Sequence, residues 1–291
     1  MRERQRTTQK ALCLAALFVC LAALSALRAS AAEDPAVLQR REIHLLIRDL
    51  GDKKPETRGK AEQRLAELGE KAAPDLILAV ENRHIAVTSM EPDRNEFARA
   101  RAARALGRIG GEQAAQPLIK ALADRSTLVH LSAVDALGDM KCKAAVPELL
   151  RLSVSANPPA AAAAIRALGV IGDPSTARPL LDILTNAKTL KDRYKNDADV
   201  SPVRVAAAFA LGLLGDRAAV PALLAGLRDV DTRVREHCDL ALRKMSGRTV
   251  GFKADAPEPE RDRAAKAWDA VWAAKESASP LPPQSLQREK P

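Results

Sequence analysis

The sequence predicts an all-α protein, a right-handed α-solenoid of about six stacked helix pairs with a C-terminal capping helix. Three observations carry that prediction. The first is composition. About a fifth of the 291 residues are alanine and 2% are aromatic, whereas sandwiches, barrels and parallel sheets need Val, Ile, Tyr, Phe and Trp to fill their pleated faces. At 47% hydrophobic, the chain can bury a core, which excludes general disorder. The second observation is an internal repeat, and the third is the proline and glycine punctuation around it.

Residues 1–10 carry four basic side chains and one acidic one, residues 11–27 carry no charge, and Ala29-Ser30-Ala31 follows. A basic start, an apolar run and small residues at A-x-A spacing form the pattern of a secretory signal peptide, with cleavage near Ala31. The apolar run falls short of the ~20 residues that span a bilayer, so contact with a membrane is expected only if this segment is retained as an anchor. Export to the periplasm or the extracellular space follows. The formal charge of +9 then falls to +5, because residues 1–31 hold five basic residues and one acidic one. Nearly half the basic excess belongs to the export signal, which removes most of the support for a nucleic-acid partner.

The repeat occupies residues 37–247. Leu65, Leu106, Leu137, Leu168, Leu211 and Leu242 are its anchors, at successive gaps of 41, 31, 31, 43 and 31 residues. Four residues before each anchor stands a small side chain (Ala61, Ala102, Ala133, Ala164, Ala207, Cys238), and three after it a large apolar one (Leu68, Ile109, Met140, Ile171, Leu214, Met245). These positions share one helix face. Gly69, Gly110, Gly172 and Gly215 follow, where a helix end favours a left-handed residue. A shorter helix with proline in its first turn precedes each stripe, as in Ala144-Ala145-Val146-Pro147 and Ala218-Ala219-Val220-Pro221. Such a pair cannot bury its apolar face alone and must stack on its neighbours.

Two insertions interrupt the period, at residues 82–95 and 186–200, each as a loop between the two helices of its repeat. Residues 248–258 read as a linker and 259–275 as the capping helix. In that helix Trp268 and Trp272 form one ridge at i, i+4 spacing, expected to close the last repeat. The tail 276–291 is rich in proline and serine and is expected to be disordered. Cys142 and Cys238 lie about two repeats apart, beyond disulfide reach, and are expected to be free thiols.

The strings Leu50-Gly51-Asp52…Thr57-Arg58 and Leu227-Arg228-Asp229…Val234-Arg235, each followed by the anchor stripe, resemble the HEAT repeat family, in particular the short HEAT-like repeats of phycobilisome lyases. Many bacterial HEAT-repeat proteins that this chain resembles end in a similar Arg-x-x-Ala-x-x-x-Trp helix, here Arg261-Asp262-Arg263-Ala264 to Trp268. The resemblance implies the fold and leaves function open, since such repeats serve as scaffolds, adaptors and sometimes enzymes.

The second helices of repeats four and five point to a binding surface. Residues 159–171 and 202–214 carry one charge each, Arg166 and Arg204, and a helix apolar all round is normally buried. In HEAT arrays the second helices line the concave face. An apolar concave patch around Ala163, Ala206 and Phe209, rimmed by Arg166, Arg204 and Arg235, is therefore expected to take an apolar or acidic-apolar partner segment. Lys191, Arg193 and Tyr194, with Lys188 and Lys195 beside them, make the second insertion a further contact loop. The column Arg58, Arg99, Arg204 and Arg235 has a structural reading as well, as partners of loop aspartates such as Asp52 and Asp229.

No catalytic or metal-binding pattern stands out. His44, His84, His130 and His237 fall in no H-E-x-x-H or C-x-x-C context, and the His-Glu dyads of HEAT-like di-iron hydroxylases are missing from the sequence. The expectation is a non-catalytic scaffold in the cell envelope that binds another protein or peptide, without cofactor, metal or nucleic acid. The rival readings are a lyase or isomerase related to bilin lyases, and a nucleic-acid-binding HEAT-like protein.

Overall fold

The computed structural model describes residues 34–194 and 196–278. Residues 1–33, on which the expected signal peptide falls, residues 279–291 and Lys195 lie outside the described residues. Two compact units divide the chain, residues 1–46 and 47–291. In the first, the described residues open helix α1 (Pro35–Leu50), whose start is capped by the Asp34 carboxylate accepting from the Ala36 amide at 2.9 Å. In the second, the chain is helical throughout, with turns between helices and no strand among the described residues.

The anchored helices are α2 (Pro55–Leu68), α5 (Pro92–Ile109), α7 (Thr127–Asp139), α9 (Pro158–Ile171), α12 (Asp197–Leu214) and α14 (Thr232–Ser246). The shorter first helices are α3 (Ala73–Val80), α6 (Glu112–Ala121), α8 (Val146–Ser153), α10 (Ala177–Thr185) and α13 (Val220–Gly226). Prolines stand in the first turns of α3, α8 and α13, where no intrahelical bond is lost. From α3 onward each first helix packs on its own anchored helix, while α5, α7, α9, α12 and α14 pack consecutively in one layer. The protein is an α-solenoid. All six anchor leucines are fully buried, and so is the small column, Cys238 included. The column after the anchors sits at helix ends and is half-buried apart from Ile171, so it fills less of the core than its spacing suggests.

The layer is held close by a contact between glycine and alanine. The residue after the anchor in α5, α9 and α12 is Gly107, Gly169 and Gly212. A Cβ added there would meet the backbone Cα of Ala136, Ala210 and Ala241 at 2.7, 2.6 and 2.8 Å. The Ala-Leu-Gly string thus works across repeats, with the alanine of one repeat seated on the glycine of the one before.

A second device links repeats through arginine. Arg99 donates to the Val80 carbonyl and pairs with Asp124 of the next repeat. Arg204 does the same with the Leu184 carbonyl at 3.1 Å and Asp229. In repeat three the position holds His130, whose Nδ1 contacts the Leu122 carbonyl of its own repeat and whose buried Nε2 has no hydrogen-bond partner among the described residues. Repeat four has Ala161 there, and Ser155 where the aspartate would stand.

Both insertions contain helix, contrary to the loops expected from sequence. The first holds α4 (Ile85–Thr88), started by His84, whose Nδ1 accepts from the Ala86 amide. The second holds α11 (Ala187–Tyr194), because Leu190 and Tyr194 at i, i+4 give it one buried face against α10 and α12. After Gly247 an extended segment leads to α15 (Glu258–Ala278). Trp268 is fully buried there and donates from Nε1 to the Asp239 carboxylate at 2.8 Å. Cys142 and Cys238 are free thiols, and burial pushes the Cys238 thiol up to about 12.

Candidate functional site

The packing that buries the anchor leucine also decides what the anchored helices expose. If the anchor points inward, residues two before and two after it lie i, i+4 from each other on the opposite face. On α5 these are Arg104 and Arg108, on α7 Asp135 and Asp139, and on α9 Arg166 and Val170, all exposed. On α12 the residue two before the anchor is Phe209, which is 41% exposed.

Four neighbouring helices therefore bring one set of side chains to a common recess of about 350 Å³. Its floor includes Gly138 and Ala167, the small residues of the helix seam, and its walls are these charged side chains with Val170 and Phe209. Arg104, Arg108 and Arg166 make no hydrogen bond or ion pair among the described residues. Burial pushes the Asp135 carboxyl above the usual carboxylate range. The Arg166 guanidinium opposes this, Asp139 adds to it and Arg104 opposes it. Three cations, two carboxylates and two exposed apolar side chains thus share one recess, a composition suited to recognising a segment of mixed polarity.

The sequence-derived site is brought together only in part. Phe209 and Arg166 line the recess. Ala163 and Ala206 are buried in the helix layer and do not offer a surface. Arg204 and Arg235 do not form a rim, because loop groups tie both down. Arg204 is held by Leu184 and Asp229 as above. Arg235, only 6% exposed, donates to the Ala254, Asp229 and Val230 carbonyls and to Thr232 Oγ1. The physical reason is position, since seven residues before the anchor the side chain points at the loop of the next turn.

Tyr194 is likewise no contact residue. It is buried, and its hydroxyl donates to the Ser155 carbonyl at 2.9 Å, fastening the inserted helix to repeat four. Lys191 is exposed and engaged with a neighbour. Arg193 lines a separate, largely apolar cavity of about 370 Å³, with Leu150, Val154, Ile183 and Leu190. The recess residues that the sequence did not single out are Arg104, Arg108, Asp135, Asp139 and Val170. Their signal was present as columns two residues either side of the anchor, hidden because the columns change chemistry from repeat to repeat. Among the described residues no group of three or more His, Cys, Asp or Glu could hold a metal ion.

Comparison with known proteins bears on the repeats. Residues 115–194 match the family described as HEAT repeats. Residues 98–124 and 203–229 match the PBS lyase HEAT-like repeat. No curated protein sequence matches the chain. Among solved structures, human deoxyhypusine hydroxylase in complex with glycerol is similar at 18% identity and a TM-score of 0.30, covering 82% of this chain and 98% of that one. The CpcE–CpcF complex of phycocyanin lyase from Nostoc sp. PCC7120 is similar at 21% identity and a TM-score of 0.39, covering 79% of this chain and 94% of that one.

Proposed function

We propose that this chain, which belongs to the HEAT repeat family, is a non-catalytic module that binds a protein or peptide segment through the exposed face of its anchored helices, in the cell envelope after export. The observation that carries the reading is the recess over α5, α7, α9 and α12, where exposed arginines stand beside exposed Phe209 and Val170. Solvent-facing arginine next to exposed aromatic and aliphatic surface is the composition that protein interfaces favour. The export half of the reading rests on the basic, apolar and A-x-A pattern of the first 31 residues. Affinity capture from the envelope fraction tests the whole, with wild type beside Phe209→Glu. Phe209 is exposed, so the variant should keep its helical circular dichroism and lose a defined captured protein. Identical capture by both would sink the proposal.

A lyase-related role is the second reading, favoured by the two segments that match the PBS lyase HEAT-like repeat. It requires the purified protein to bind a bilin chromophore, read as a shift in visible absorption.

A further inference from the structure

The exposed columns spell an ordered series along the helix layer. Passing from α5 to α12, the face presents a basic pair (Arg104, Arg108), an acidic pair (Asp135, Asp139), then Arg166 with Val170, then Phe209. The chemistry changes once per helix, and packed helices stand about 8–10 Å apart, with the glycine–alanine seam in between. An extended chain of polyproline II form advances about 3.1 Å per residue and presents the same face every third residue, so one turn of about 9 Å crosses one helix.

We infer, on the basis of the binding function proposed above, that the occupant is one extended peptide segment lying across α5, α7, α9 and α12. It carries an acidic residue over Arg104 and Arg108, a basic one over Asp135 and Asp139, an acidic one at Arg166 and a large apolar one against Val170 and Phe209, at intervals of about three residues. Charge complementarity argues for it. Arg104, Arg108 and Arg166 form no salt bridge or hydrogen bond among the described residues. Arg166 and Arg104 act on Asp135 only through space, and a cation from the partner would offset the burial that still disfavours the charged form of Asp135. The recess floor of Gly138 and Ala167 admits single side chains rather than a helix face, which favours an extended segment over a second copy of this chain.

The test uses the full chain and labelled 12-residue peptides read by fluorescence anisotropy. The matched peptide has Glu, Lys, Glu and Leu at every third position. A second has the reversed sequence, and a third exchanges the first two charges. The matched peptide, in one chain direction or the other, should bind roughly tenfold tighter than the exchanged one. A variant with Arg104→Glu, Arg108→Glu, Asp135→Lys and Asp139→Lys should reverse that preference and keep its helical content, since all four side chains are exposed. Equal affinity for all peptides, or binding of none, overturns the inference. So does a dimer in sedimentation that the four-site variant dissociates. If Phe209-dependent capture persists while the charge order makes no difference, the binding function stands and this recognition pattern falls.

Discussion

Arg204 and Phe209 share helix α12 and face opposite duties. The Arg204 guanidinium is wedged between the Leu184 carbonyl and the Asp229 carboxylate, with the two side chains only 11% and 12% exposed. Removing one partner of such a pair leaves the other buried and uncompensated, at a cost of about 3 kcal/mol. Arg204→Met should therefore lower the urea midpoint by that equivalent while leaving groove peptide affinity unchanged; a loss of affinity with intact stability would restore Arg204 to the binding surface. Composition marked both residues as notable, because each stands out from an alanine-rich helix. What it could not supply was the direction in which each points. Counting from Leu211 supplies it, since seven residues before the anchor faces the next loop and two before faces solvent.

At the scale of elements, the period of 31 and the anchor stripe made the anchored helices legible, because every repeat states them again. The departures were harder to read for local reasons. Helix α11 has eight residues, of which Lys188, Lys191, Asp192 and Arg193 are charged, so only Leu190 and Tyr194 signal a buried face. Helix α12 starts before Pro202, which reads as a helix start, because the Asn196 side chain caps it by accepting from the Ala198 amide at 3.0 Å. The glycine after the anchor was present in four repeats, yet its contact lies in another repeat and is visible only in three dimensions. Two substitutions separate its role from helix propensity. Gly169→Ala drives a methyl group into the Ala210 backbone and should destabilise by about 1–3 kcal/mol. Gly59→Ala, with nothing within 4 Å, should stabilise by about 0.5–1 kcal/mol. Thermal melts that shift both proteins in the same direction would refute the seam.

For the whole molecule, stability in a repeat array is close to a sum of repeat terms and nearest-neighbour interfaces. Arginine–aspartate pairs strengthen the junction of repeats two and three and that of five and six. Tyr194 fastens the inserted helix of repeat five to repeat four. Between repeats three and four the positions hold His130 and Ser155, and Ser155 Oγ already accepts from the Asn157 amide much as Asp124 accepts from Ser126. Installing His130→Arg with Ser155→Asp should keep that turn and add the missing pair, raising stability by about 1 kcal/mol. The double-mutant cycle should show favourable coupling; additive effects would mean that the two sites do not meet. The same gap lies beneath the recess, whose acidic pair belongs to repeat three and whose Arg166 belongs to repeat four. A segment laid from α5 to α12 would act as a splint across a joint that lacks the arginine–aspartate pair, so that occupancy and mechanical stiffness rise together and the bound protein resists bending where the free one yields.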